Sequence, residues 1–288
     1  MKKFYRFAGM EVCVDIPDKW MYGDDRQLAP FRVACIACPH IYDFKPVDCL
    51  TAPSGKLEIL FPGVRIYREG ESYVRYIGTV ENGWENAYIR VQHTKTRTHV
   101  QVRIPEQITC IGVKTVLNAM AAEHLIAGNR GFVFHCSYID VGGKAILFTA
   151  PSETGKSTQA DLWAKYRGAE IINGDRAAIR LVGDTLLAEG IPFAGSSRYC
   201  KNRSLPIEAI VYLGQAPKTT IRKIRGYEAF SKIWEGVSVN TWDKTDLELV
   251  SDVVQKIAER IPVFHMPCTP DESAVIVLEE ALRKQANQ

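Results

Sequence analysis

The sequence predicts an α/β protein in which a β-rich amino-terminal domain precedes a domain of alternating strands and helices. Three observations carry that expectation. Short apolar and aromatic runs parted by turn formers fill about the first hundred residues. A long helical pattern then intervenes. Beyond Gly131, strands alternate with helices around a Gly-Lys-Ser loop.

The amino-terminal strands are expected at Lys3 to Phe7, Glu11 to Ile16, Arg32 to Ile36, Leu57 to Phe61, Ser72 to Val80, Ala87 to Gln92 and Thr98 to Ile104. Pro53-Ser54-Gly55, Pro62-Gly63, Glu69-Gly70 and Asn82-Gly83 supply turns between them. Pro105 ends the last run, which sets the expected domains at 1–105 and 106–288. Ile108 to Ala127 carries apolar residues at helical spacing, and Gly128-Asn129 closes that helix.

In the second domain Phe132 to Ile139 reads as a strand, Gly142-Gly143 as a tight turn and Ala145 to Thr149 as the strand entering the loop. A helix over Gln159 to Tyr166 follows the loop. Glu170 to Ile172 is a short strand ending at Asn173-Gly174-Asp175-Arg176. Further strands are expected at Ala178 to Val182, Thr185 to Ala188, Ala209 to Leu213, Thr220 to Ile224 and Val263 to Met266. Leu247 to Arg260 and Pro270 to Lys284 read as helices.

Composition bounds the class of protein. The chain has 288 residues, 46% hydrophobic and 24% charged, enough for a sizeable core. A net charge of +3 is too small to argue for nucleic acid. The basic start, Met1-Lys2-Lys3, is followed by no apolar signal-peptide core, and no run reaches the ~18 apolar residues of a membrane span. Eight scattered cysteines suggest a reduced, cytoplasmic protein rather than a disulfide framework.

The loop Ala150-Pro151-Ser152-Glu153-Thr154-Gly155-Lys156-Ser157-Thr158 carries the chemistry. Between a strand and a helix, its backbone N–H groups and the helix dipole favour a phosphate anion. Ser152, Glu153, Thr154, Gly155 and Thr158 would cradle the phosphates, Lys156 would reach the β- and γ-phosphates, and the Ser157 hydroxyl would ligate Mg²⁺. Ala150 stands where the motif has its first Gly.

Two residues are expected beside it. With Gly142-Gly143 as a two-residue hairpin, Asp140 faces Ala145, Ile139 faces Ile146 and Ser137 faces Phe148. Continuing the count sets His135 opposite Ala150, where an imidazole can touch phosphate or orient an acid. Asp175 comes nineteen residues after Lys156, at the carboxyl end of the next strand. Ligands of open α/β sheets sit at that edge, and a carboxylate there can bind Mg²⁺ or take a hydroxyl proton.

His135, the Gly-Lys-Ser loop and Gly174-Asp175-Arg176 together resemble the HPr kinase/phosphorylase family and related phosphoenolpyruvate-carboxykinase-like kinases. Gly190 to Ser196, Leu205 to Leu213 and Ile261 to Phe264 look similar too, so the resemblance runs from Gly131 to the carboxyl terminus. It implies a P-loop kinase domain of that type, using ATP and Mg²⁺ to phosphorylate a hydroxyl. Lys156 would hold phosphates, Ser157 and Asp175 the metal, and Asp175 would activate the acceptor with His135 in support. The acceptor it implies is a Ser or Thr of a protein or peptide, with the amino-terminal domain recognising or covering it. A small-molecule kinase acting on an amino acid or sugar, and a nucleotide-binding regulator without catalysis, are the alternatives. Homo-oligomerisation is left open. The family's paired acid is Gly174 here, and Glu189 before Gly190 only weakly matches its downstream Glu-Gly.

Other residues weigh differently. Arg198, Lys201, Arg203, Lys218, Arg222, Lys223 and Arg225 make a basic stretch, in which Arg198 with its neighbours can fold over the nucleotide. No aromatics interleave there as RNA stacking requires. Cys35 and Cys38, near His40 and Cys49, lack the second Cys pair of a zinc site. Asp243-Lys244-Thr245-Asp246 lacks the context of a guanine-reading motif. His93 and His99 read as strand residues. Tyr73, Tyr76, Trp84 and Tyr88 read as sheet packing, with a peptide groove as the other use.

Overall fold

The computed structural model describes residues 2–17, 26–37, 39–103, 113–195, 197 and 199–287. Pro105, Arg198 and Cys38 therefore lie outside the described residues. The chain divides into two compact units, Met1–Ala122 and Glu123–Gln288. Among the described residues each unit is built on one large sheet, of nine and ten strands, giving a mixed α/β protein. No described helix is long and apolar enough to cross a membrane.

The first sheet runs β3-β1-β2-β4-β9-β8-β7-β6-β5. Its strands are β1 (Lys2–Phe7), β2 (Met10–Asp15), β3 (Arg32–Val33), β4 (His40–Val47), β5 (Lys56–Phe61), β6 (Val64–Glu69), β7 (Ser72–Gly78), β8 (Ala87–His93) and β9 (Arg97–Arg103). Strands β4 and β6 were not expected. β4 contains Asp43, Lys45 and Pro46, yet pairs in parallel with both β2 and β9. Tyr76 is buried against Tyr67 and Trp84, and its hydroxyl donates to the Thr51 carbonyl at 2.6 Å. Arg90 donates to that hydroxyl and pairs with Glu69 at 3.3 Å, so this buried cation is both paired and hydrogen-bonded. Of the aromatics there, Tyr88 is exposed and Tyr76 packs.

The helix expected over Ile108 to Ala127 is two helices where described, α1 (Val113–Met120) and α2 (Glu123–Gly128). They part at Ala121, whose φ of 45° ends the first helix without a Gly or Pro to announce it.

The second sheet runs β13-β11-β12-β16-β15-β14-β10-β18, with β19 beside β16 and β17 beside β19. Its strands are β10 (Gly131–His135), β11 (Ser137–Val141), β12 (Lys144–Thr149), β13 (Glu170–Asn173), β14 (Arg176–Val182), β15 (Thr185–Glu189), β16 (Ser204–Gln215), β17 (Arg222–Ile224), β18 (Val237–Ser238) and β19 (Val263–Cys268). The helices are α3 (Lys156–Arg167), α4 (Gly226–Trp234), α5 (Lys244–Arg260) and α6 (Glu272–Ala286). Period-two alternation explains the layers. Ala145, Leu147 and Ile210 face α4 and α5, whereas Ile146, Phe148 and Val211 face α3 and α6.

The β11–β12 hairpin has the register read from Gly142-Gly143: Asp140 opposes Ala145, Ile139 opposes Ile146 and Ser137 opposes Phe148. The extension of that count to His135 fails. The expected strand from Phe132 to Ile139 bends at Cys136, and its first half leaves the hairpin to pair with β14. His135 therefore opposes Arg176, not Ala150.

Candidate functional site

Strands β12, β16 and β19 run in parallel, and their carboxyl ends form one edge of the second sheet. The Ala150–Gly155 loop leaves that edge and turns into α3. Glu153 and Gly155 take φ values of 64° and 110°, which curl the loop back on itself. Gly155 is the N-cap of α3 and no side chain caps the helix, so the amides of Lys156, Ser157 and Thr158 precede its first bond, from Gln159 N to Gly155 O. These are the orphan donors of a helix start, with the positive dipole end behind them. Lys156 Nζ donates to the carbonyls of Ala150 and Pro151, each at 3.0 Å. Burial lowers its pKa, and the charge of Asp175 works against that shift.

Asp175 reaches the same place from the end of β13. Buried Asn173 holds the turn: its Oδ1 accepts the amides of Asp175 at 2.9 Å and Arg176 at 3.0 Å. Its Nδ2 donates to the Ile191 carbonyl at 3.1 Å. Asp175 Oδ1 lies 3.5 Å from His135 Nε2, and Oδ2 lies 3.2 Å from Arg176 Nε. His135 most of all, then Arg176 and Lys156, hold this carboxyl below the usual range, although burial pushes the other way. The pair stays reachable, with the side chains of His135 and Asp175 35% and 26% exposed.

The bend at Cys136 ties these pieces together. Cys136 N donates to the Asp175 carbonyl at 3.0 Å, and Ser137 Oγ donates to that of Gly174 at 3.1 Å. Thr149 Oγ1, at the end of β12, donates to the His135 carbonyl at 3.0 Å. His135 thus reaches the site through its backbone and Asp175, although it does not face Ala150.

Ser157, Asp161, Gly174, Asp175, Ser197 and Tyr199 line a half-open cleft of about 310 Å³. Ser157 Oγ donates to the Gly174 carbonyl at 3.4 Å. Two glycines fit the cleft closely. A Cβ on Gly174 would lie 3.0 Å from Ser197 Cβ, so a larger residue there needs Ser197 to move. A Cβ on Gly195, whose φ is +54°, would lie 2.7 Å from Asp175 Oδ2. Asp161, Asn173, Gly195, Ser197 and Tyr199 were not singled out from sequence. Asn173 was visible only as a turn former, and Asp161 sits one helical turn after Ser157.

The basic stretch is not one device. Lys201 pairs with Glu170 at 2.6 Å and Arg203 with Asp140 at 2.9 Å, so both are bound to acids of the sheet. Asp243 caps α5 by accepting the amides of Thr245 and Asp246. Cys35 and Cys49 are exposed, free thiols.

No protein-family model and no curated protein matches the chain. Among solved structures, the Hpr(Ser) kinase/phosphatase from Coxiella burnetii is a distant neighbour. The match covers 54% of this chain and 99% of that chain, at 11% identity and a TM-score of 0.35.

Proposed function

We propose that the chain is an ATP- and Mg²⁺-dependent kinase that phosphorylates a Ser or Thr hydroxyl of a protein or peptide. One observation carries this reading: Ser157, in the first turn of the uncapped helix α3 and next to Lys156 in the chain, lines one cleft with the carboxylate of Asp175. Such a donor set fits a nucleotide and its metal. Amides and an ammonium suit the phosphates, and the oxygens of Ser157 and Asp175 suit a hard cation. Bound there, Mg²⁺ would neutralise charge on the phosphoryl oxygens.

In the transfer, the acceptor oxygen bonds to the γ-phosphorus as the bond from phosphorus to the bridging oxygen breaks. The electron pair of that bond leaves with the nucleoside diphosphate, and Asp175 takes the hydroxyl proton. A carboxylate held below the ordinary range takes that proton late. This suits phosphoryl transfer, whose loose transition state asks more for positioning and charge than for a strong base. A half-open cleft also admits a hydroxyl still attached to a chain.

The test is mass spectrometry of a Ser/Thr peptide library incubated with the protein and Mg·ATP. Phosphopeptides are expected, and Asp175→Asn should lower their yield about a thousandfold. Full activity in that variant would overturn the role of Asp175. Phosphate gain by free amino acids or sugars alone would overturn the peptide acceptor, and nucleotide binding without transfer to anything would overturn catalysis.

A further inference from the structure

The opposite edge of the second sheet carries a larger feature that the kinase reading leaves unused. β17 runs antiparallel to β19, with Ile224 opposite Val263, so Lys223 to Arg225 lie at the start of β19. That is the far end of the strand from the Ala150–Gly155 loop. There the end of α5 and the start of α4 border a half-open groove of about 800 Å³. The volume falls within the range of pockets that hold a sizeable ligand.

The lining is cationic over an apolar floor. Lys223, Arg225 and Arg260 bring three positive charges, and Phe230 and Ile261 bring apolar surface. Arg225 and Arg260 have no carboxylate partner among the described residues, and Lys223 donates only to the amide oxygen of Gln285. Glu259 also borders the groove and accepts from Gln255 at 2.9 Å, so three cations share the lining with one carboxylate and it stays net positive. Like charges gathered in excess of their counter-charge raise the cost of keeping each one ionised. The pKa of Lys223 is lowered first by burial, and the charge of Arg225 adds to that shift. At the rim Tyr227 is 86% exposed, an aromatic ring left in water on the groove that Arg225 and Arg260 also line. Tyrosine and arginine are among the residues that protein-binding surfaces concentrate.

We propose that this groove docks an acidic peptide segment of a partner protein, with a large apolar side chain seated against Phe230 and Ile261 and flanking carboxylates on Lys223, Arg225 and Arg260. Charge complementarity selects this occupant. A lone small anion in a half-open groove would stay hydrated and leave the apolar floor unused. A chain that carries both carboxylates and an apolar anchor satisfies both parts of the lining. This inference stands apart from the phosphotransfer reading, because it involves other residues and another edge of the sheet.

Phage selection from a random dodecapeptide library on the immobilised full chain tests it. Enriched peptides should combine Asp and Glu with one Leu, Phe or Trp. Their affinity, read by fluorescence anisotropy, should fall about tenfold or more in the Arg225→Glu/Arg260→Glu protein and weaken with added salt. Tyr227→Ala, at a largely exposed position, should cost about threefold without touching the fold. Enrichment of non-acidic peptides would overturn the proposal. So would acidic peptides that bind the charge-reversed and Tyr227→Ala proteins undiminished. Displacement by inorganic phosphate of peptides whose apolar anchor is dispensable would overturn it in favour of a small-anion site.

Discussion

His124 and His135 each face an aspartate, but the two pairs are built differently. His124 Nδ1 lies 2.9 Å from Asp246 Oδ1, and Asn240 Nδ2 donates to Asp246 Oδ2 at 2.8 Å. Asp246 is buried at the start of α5, so its oxygens are enclosed and already engaged. Neighbouring Asp243 is occupied as the cap of the same helix, although its oxygen comes within 3.9 Å of His124. At Asp175 the histidine is farther away, at 3.5 Å, and the carboxylate opens onto a cleft. A buried carboxylate engaged at both oxygens holds structure together. One that keeps a solvent-facing lone pair beside a cationic helix start is free to do chemistry.

The contrast makes opposite expectations for the two acids. Asp175→Asn should lower phosphotransfer about a thousandfold, the scale of losing a positioned base, with the thermal midpoint little changed. Asp246→Ala should instead destabilise the fold by about 3 kcal/mol in urea titration, because Asn240 and His124 lose a buried acceptor. Equal stability losses in both variants would erase the distinction. Gly195→Ala should slow transfer up to about a hundredfold by pushing the Asp175 carboxylate out of line, with nucleotide affinity kept. Steady-state kinetics separates those two quantities.

The smallest effect concerns protons. Asp175 titrates below the usual carboxylate range, so its stabilising contribution is present above the unfolded-state pKa and is lost as pH falls through the folded value. His135→Ala removes the largest cause of that depression. Carbon-13 NMR of labelled aspartate should then show the Asp175 titration moving up in pH, and no movement would remove His135 from the site.

How much of this was legible in the sequence depended on the range of the forces involved. The Gly142-Gly143 turn fixed the β11–β12 register because a two-residue hairpin is a local matter. The strand, loop and helix around Lys156 were equally local. The bend at Cys136 was not, since a hydrogen bond to the carbonyl of Asp175, far along the chain, goes with it. A straight count therefore misplaced His135. Helix α4 was missed because it begins at Gly226 behind Arg225, with no capping side chain to mark it. β4 hid behind Asp43, Lys45 and Pro46, residues that two parallel neighbours tolerate. Asn173 showed its turn-forming habit in sequence, but the buried bonds that make it a clamp are tertiary.

The tripeptide His135-Cys136-Ser137 has one more implication. Its backbone and hydroxyl groups grip Thr149, Asp175 and Gly174, which belong to two separate strand ends. The parts expected to handle phosphate and proton are therefore anchored to a common chassis. Ser197 and Tyr199 border the cleft from the segment beyond Gly195, which Lys201 N ties back to the Ile172 carbonyl at 3.0 Å. A change at any residue of the tripeptide is therefore expected to disturb both strand ends at once.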